Sequence, residues 1–131
     1  MSHLNAVVLV VEDDPIIRMC AVDIIAEAGL DTIEAACADD AIKILEARPD
    51  VRLVFTDIEM PGTMDGIKLS HYIRERWPPI KLIVASGKAI VEESHLPTGA
   101  RFFSKPYSDR TIVDEIRKML SDAAPGAYTS N

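Results

Sequence analysis

Five short apolar runs alternate along this chain with stretches whose apolar residues recur every three to four positions. The runs fall at about 6–11, 31–35, 53–56, 81–85 and 100–103. The intervening stretches fall at about 15–28, 39–47, 66–77 and 109–120, with a shorter one at about 88–95. Runs of that length read as strands, and apolar spacing of that period reads as helices buried on one face. Regular alternation of the two predicts βαβ units and a parallel sheet. The strand at 53–56 is the most apolar, which predicts a sheet covered on both faces.

Punctuation along the chain agrees. Pro15 suits a first helical turn and Gly29 a C-terminal cap. Pro49 lies just past the second helix, and Pro78-Pro79 stops the third. Asp14 and Asp65 stand where helix N-caps belong. The last helix places Ile112, Val113, Ile116, Met119 and Leu120 at the spacing of one face. One domain is expected over 1–122, followed by a frayed tail at 123–131.

Composition narrows this picture. A chain of 131 residues, 48% apolar, has material for one domain-sized core. With aromatics at 5%, that core must be mostly Val, Ile, Leu and Ala. The net charge of −7 argues against nucleic acid, which needs clustered Lys and Arg. No apolar stretch approaches the ~18 residues of a membrane-spanning helix, and the N-terminus lacks the pattern of a secretory signal. Cys20 and Cys37 are too few for a disulfide scaffold and lack a C-x-x-C spacing. They read as reduced thiols of a cytosolic protein, with Cys20 in the core face of the first helix. His3, His71 and His95 have no metal-ligand spacing and are assigned to the surface.

The chemistry gathers at the strand ends. Glu12-Asp13-Asp14 closes the first strand and Asp57 the third; Ser86 follows the fourth and Lys105 the fifth. In an open parallel sheet, ligands are handled at the carboxyl ends of the strands. Glu12, Asp13 and Asp57 crowd there as like charges, which is unfavourable unless a cation or a shared proton relieves them. Mg²⁺ suits such a set, because it takes oxygen ligands and keeps waters and a phosphate oxygen. An Asp carboxylate can act as nucleophile in phosphoryl transfer. A lysine on the opposite side would neutralise the transferred group's oxygens. The blander alternative is a merely solvated acidic rim. Three carboxylates with a hydroxyl and an amine at matching strand ends weigh against it.

Five stretches carry a resemblance: Val8-Leu9-Val10-Val11-Glu12-Asp13-Asp14-Pro15, Phe55-Thr56-Asp57-Ile58-Glu59-Met60-Pro61-Gly62, Met64-Asp65-Gly66, Ala85-Ser86-Gly87 and Lys105-Pro106. In this order and spacing the chain resembles the response-regulator receiver family, the CheY-like phosphoacceptor domains of two-component signalling, over about 5–121. The resemblance implies a flavodoxin-like five-stranded parallel sheet, order 2-1-3-4-5, with helices on both faces. It implies Asp57 as phosphoacceptor, Asp13 as a direct Mg²⁺ ligand, Glu12 holding a metal-bound water, and the Glu59 backbone carbonyl as a further ligand. Ser86 matches the switch hydroxyl, Lys105 the lysine that pairs with phosphoryl oxygen, and Phe102 the aromatic residue that swings inward. Pro106 would follow a cis peptide. The implied partners are a sensor histidine kinase or phosphotransfer protein and a downstream protein target. The target would read the face formed by the last strand and the helices beside it. Receivers of this type also form transient homodimers.

Some residues depart from the family pattern. The turn Met60–Gly66 is one residue longer than the commonest form, Ser86 replaces the more frequent Thr, and Phe102 lacks the hydroxyl of Tyr. Glu59 and Lys88, each two residues past a site residue, could pair across a phosphoryl group and slow water attack, or could be two solvated charges. The expected role is a stand-alone receiver that switches a protein-binding face or relays phosphoryl groups, with no catalysis beyond its own phosphorylation and dephosphorylation. A phosphatase of the haloacid-dehalogenase type also uses a strand-end Asp, but it wants a second Asp where Glu59 stands, and a cap domain. A pseudo-receiver that never becomes phosphorylated would not need Asp13, Asp57, Ser86 and Lys105 together.

Overall fold

β-Branched and leucine-rich runs separated by capped helices fold as the alternation predicts. The computed structural model describes residues 6–87 and 91–122. Its elements are β1 (Val7–Val11), α1 (Pro15–Glu27), β2 (Asp31–Ala35), α2 (Ala38–Ala47), β3 (Val51–Asp57), α3 (Gly66–Arg76), β4 (Lys81–Ser86), β5 (Arg101–Ser104) and α4 (Asp109–Asp122). The strands form one sheet in the order β2-β1-β3-β4-β5, with every neighbouring pair parallel. This is the expected flavodoxin-like arrangement. The tail expected at 123–131 lies outside the described residues.

The two-residue period of the strands splits the core into two halves. On one face Val7, Leu9 and Val11 pack with Ala41 and Leu45 of α2 and Leu69 and Ile73 of α3. On the other, Val8 and Val10 pack with Ala21 and Ile25 of α1 and Ile112, Ile116 and Met119 of α4. β3 sits at the centre of the sheet. Near its start the β1–β3 register jumps from Val7↔Val51 to Val8↔Leu53. Arg52 is the skipped residue and is exposed. The jump puts Val51 and Val54 on one face and Leu53 and Phe55 on the other.

Local signals behave as their chemistry requires. Asp14 Oδ1 accepts from the N–H groups of Ile16 and Ile17, and Asp65 Oδ1 accepts from that of Lys68. Each satisfies donors that a helix start leaves without intrahelical partners. Gly29 follows α1 with φ at 88°, a conformation that glycine adopts without steric cost. His71 is exposed, as expected, and its Nε2 lies 2.8 Å from the His95 carbonyl oxygen.

Two expectations are corrected. Cys20 is exposed rather than buried. The inward stripe of α1 is Arg18, Ala21, Val22 and Ile25, while Ile16, Ile17 and Met19 face outward. Apolar residues ring this helix, so composition alone could not orient it. The helical segment expected at 88–95 is, in its described part, a single 3-10 turn at Glu93–His95; residues 88–90 lie outside the described residues. Val91 and Leu96 supply only a small apolar contact with Ile58, Val84 and Phe102, and Pro97 is close behind. Among the described residues, no helix is long and apolar enough to cross a membrane.

The join between β3 and α3 is a close backbone approach. The N–H of Ile58 donates to the Ala85 carbonyl at 2.9 Å, and that of Gly66 donates to the Ile58 carbonyl at 3.0 Å. A Cβ at Gly66 would overlap the Asp57 carbonyl group. Gly66→Ala is therefore expected to destabilise the fold by about 3 kcal/mol, since backbone rather than a flexible side chain must yield. Urea unfolding checks this; a change under ~0.5 kcal/mol, the range of ordinary surface substitutions, would contradict it.

Candidate functional site

The first acidic turn is held from several sides. As the chain leaves β1, the Glu12 N–H donates to the Ala35 carbonyl at 3.0 Å. The Glu12 carboxylate accepts from the Asp14 N–H at 3.1 Å. Arg18 reaches back from α1: one guanidinium nitrogen donates to the Glu12 carbonyl at 2.7 Å, and Nε donates to Glu34 of β2 at 3.0 Å. Sequence reasoning did not single out Arg18. The available signal was a lone cation on the inward stripe of an apolar helix, a position that demands polar partners.

Three carboxylates meet beyond that turn. Glu12 and Asp57 are buried and Asp13 is exposed; each offers an oxygen within 4.8 Å of the others. The fifth strand supplies the counter-charge. The Lys105 N–H donates to the Ser86 carbonyl at 2.9 Å, and the Lys105–Pro106 peptide is cis, as expected. Lys105 Nζ lies 2.8 Å from Asp57 Oδ1 and 3.5 Å from Glu12 Oε1. Apart from that ion pair, the buried Asp57 Oδ1 has no hydrogen-bond partner among the described residues.

The electrostatics follow from confinement. Burial pushes the Asp57 carboxyl above its ordinary range; Lys105 opposes the shift, and Glu59 and Asp13 add to it. Burial also raises Glu12, opposed by the Asp14 N–H and Lys105 and reinforced by Asp57 and Asp13. Burial alone would lower the Lys105 ammonium, but Asp57 and Glu12 hold it above its usual value. Among the described residues, three carboxylates face one ammonium, which leaves negative charge uncompensated. An all-oxygen donor set with a buried, under-bonded carboxylate oxygen fits a hard divalent cation.

Beside Lys105, at the end of β4, stands Ser86, 1% exposed. Its hydroxyl donates to Glu59 Oε2 at 2.5 Å. The β3–β4 register, Asp57↔Ala85, sets this level. The Glu59 side chain, which the sequence offered as one of a pair across a phosphoryl group or as a solvated charge, thus bonds to Ser86. Lys88, the other residue of that pair of alternatives, lies outside the described residues. Phe102 is half-buried against Ile58, Val84 and Leu96. The turn after β3 is tethered to the start of α2, because the Thr63 hydroxyl donates to Asp39 at 2.9 Å. Tyr107, two residues past Lys105, stands edge-on to Phe55 with ring centroids 5.8 Å apart. No periodicity marks Tyr107 in the sequence.

Comparison with known proteins bears on this geometry. Residues 8–117 match the family model of the response regulator receiver domain. The sensor kinase CckA of Brucella abortus (strain 2308) is 35% identical over 88% of this chain, and the matched stretch is 13% of that kinase's length. The receiver protein CpdR of the same organism is 35% identical over 86% of this chain and 95% of its own. A CheY-like receiver domain structure from Methanospirillum hungatei superposes with a TM-score of 0.81 at 28% identity, covering 89% of this chain and 94% of that one. Since the match takes in the carboxyl ends of all five strands, this chain belongs to the response regulator receiver domain family.

Proposed function

We propose that Asp57 accepts a phosphoryl group from a phosphohistidine, and that the modified chain signals through a protein-binding face or passes the group on. One observation carries this reading: a buried carboxylate at the end of the central strand, 2.8 Å from a lysine and clustered with two further carboxylates. An Asp57 oxygen would attack phosphorus while the phosphorus–nitrogen bond of the donor breaks, leaving an acyl phosphate that water later hydrolyses. Such transfer has a loose transition state, so positioning and charge neutralisation do most of the work. Lys105 would pair with a phosphoryl oxygen, and the Ser86 hydroxyl would donate to another. Phe102 would follow Ser86 inward, giving a packing switch. Asp13 and Asp57 would bind Mg²⁺ directly, with the Glu59 carbonyl, while Glu12 would hold a metal-bound water. When bound, the ion would neutralise the transferred group's oxygens.

The donor would be a sensor histidine kinase or a phosphotransfer protein, in keeping with the similarity to CckA and CpdR. Nothing in the site calls for chemistry beyond the chain's own phosphorylation and dephosphorylation.

Intact-protein mass after incubation with Mg²⁺ and acetyl phosphate tests the acceptor. We expect a gain of one phosphoryl group that disappears in Asp57→Asn; an equal gain in that variant would move the acceptor elsewhere. The charge crowding generates a second expectation. Asp13 helps to raise both buried carboxyls, so metal-free Asp13→Asn should melt roughly 2–4 °C higher than the unsubstituted chain. Mg²⁺ at about a hundredfold its Kd should raise the unsubstituted chain's Tm by roughly 10 °C. The same Mg²⁺ should raise that of Asp13→Asn by less than half as much. Equal Mg²⁺ shifts in a scanning-calorimetry comparison would remove Asp13 from the ligand set.

A further inference from the structure

The Ser86 hydroxyl carries one proton, and in this structure it is given to Glu59. A hydroxyl can accept more than one hydrogen bond but donates only one. If Ser86 is to donate to a phosphoryl oxygen on Asp57, its bond to Glu59 must break first. We propose that Glu59 is a competing acceptor for the Ser86 hydroxyl, a latch that sets how readily a phosphoryl group draws Ser86 toward Asp57. This inference rests on the phosphoacceptor reading of Asp57 and adds a side chain to it.

The geometry makes the competition specific. Ser86 is 1% exposed, so its hydroxyl has little recourse to bulk water and breaking the bond without a replacement is costly. Both acceptors are anionic oxygens, so one charge-assisted hydrogen bond is exchanged for another of similar strength. A near-balanced exchange can be biased in either direction by small changes. The latch is also well placed. Ile58, the residue before Glu59, is pinned to β4 by its N–H bond to the Ala85 carbonyl, and its own carbonyl accepts from Gly66. The Glu59 side chain therefore departs from a fixed backbone, and Ser86 is the last residue of β4. Neither end needs to move for the bond to form. In the resting chain Glu59 holds Ser86; in the phosphorylated chain the group on Asp57 would hold it, and the freed Glu59 carboxylate would turn toward solvent.

Glu59 also bears charge, and removing a carboxylate near an incoming anion would strengthen binding without any latch. A double-mutant cycle separates the two effects. The probe is beryllofluoride, a phosphoryl mimic, titrated in the presence of Mg²⁺ and followed by fluorine NMR. The proteins are the unsubstituted chain, Glu59→Ala, Ser86→Ala and the double variant. All four retain the backbone carbonyl at position 59. We expect Glu59→Ala to tighten beryllofluoride binding about tenfold, the scale of one charged hydrogen bond released. In the Ser86→Ala background the same substitution should give no more than a third of that gain. Glu59→Gln, which keeps shape and an acceptor oxygen but loses the charge, should fall between and guards against a folding defect in the alanine variant. Equal tightening in both backgrounds would reduce Glu59 to simple charge repulsion, and no tightening in the first would remove it altogether; either overturns the latch alone. Failure of the unsubstituted chain to bind beryllofluoride, together with no phosphoryl gain on Asp57, would overturn the phosphoacceptor reading and the latch with it.

Discussion

The 2.8 Å ion pair between Lys105 and Asp57 joins two demands that pull against each other. A sheet covered on both faces stabilises the fold by burying apolar strands, and it gathers the buried charges at the carboxyl ends of the strands. Those ends are themselves partly enclosed, so Glu12 and Asp57 lose solvation where like charges also converge. One ammonium from the far side of the central strand is what makes the arrangement tolerable. It arrives there because β5 pairs with β4 and the chain continues as Lys105 past the Ser104↔Ser86 pair. The strand order is therefore an electrostatic requirement as well as a packing solution. Removing the lysine would deprive both buried carboxylates of the ion pairs they make with its ammonium.

The fold was largely legible because its signals are local. A two-residue period in strands and one apolar face in helices survive in the linear sequence, and α3 and α4 follow them closely. Orientation failed where that contrast was missing. α1 has apolar residues around most of its circumference, so the position of Cys20 was decided by Arg18, Ala21 and Ile25 packing inward. The segment after β4 failed for the opposite reason. Val91 and Leu96 are too sparse to define a buried helical face, and only a 3-10 turn forms in its described part.

Within the site, the sequence revealed which groups meet but not how they bond. Residues at the ends of adjacent parallel strands must be neighbours, so Glu12, Asp57, Ser86 and Lys105 could be grouped from their positions alone. Contacts that depend on side-chain reach across a loop leave no such trace. The Arg18 bond to the Glu12 carbonyl spans six residues and a change of element. The Ser86 bond to Glu59 spans 27 residues. Both depend on rotamers that are chosen only after the backbone is in place.

The closure of the β3–α3 connection has a consequence for how such chains diverge. The segment is fastened at both its ends, by Ile58 to Ala85 and by Gly66 to Ile58. Its outer part is held by Thr63 on Asp39. Length changes inside a ring whose neck is fixed are absorbed in the ring itself. Past Glu59, which belongs to the site, residues 60–65 are thus a corridor where insertion or deletion would leave Asp57 where it was.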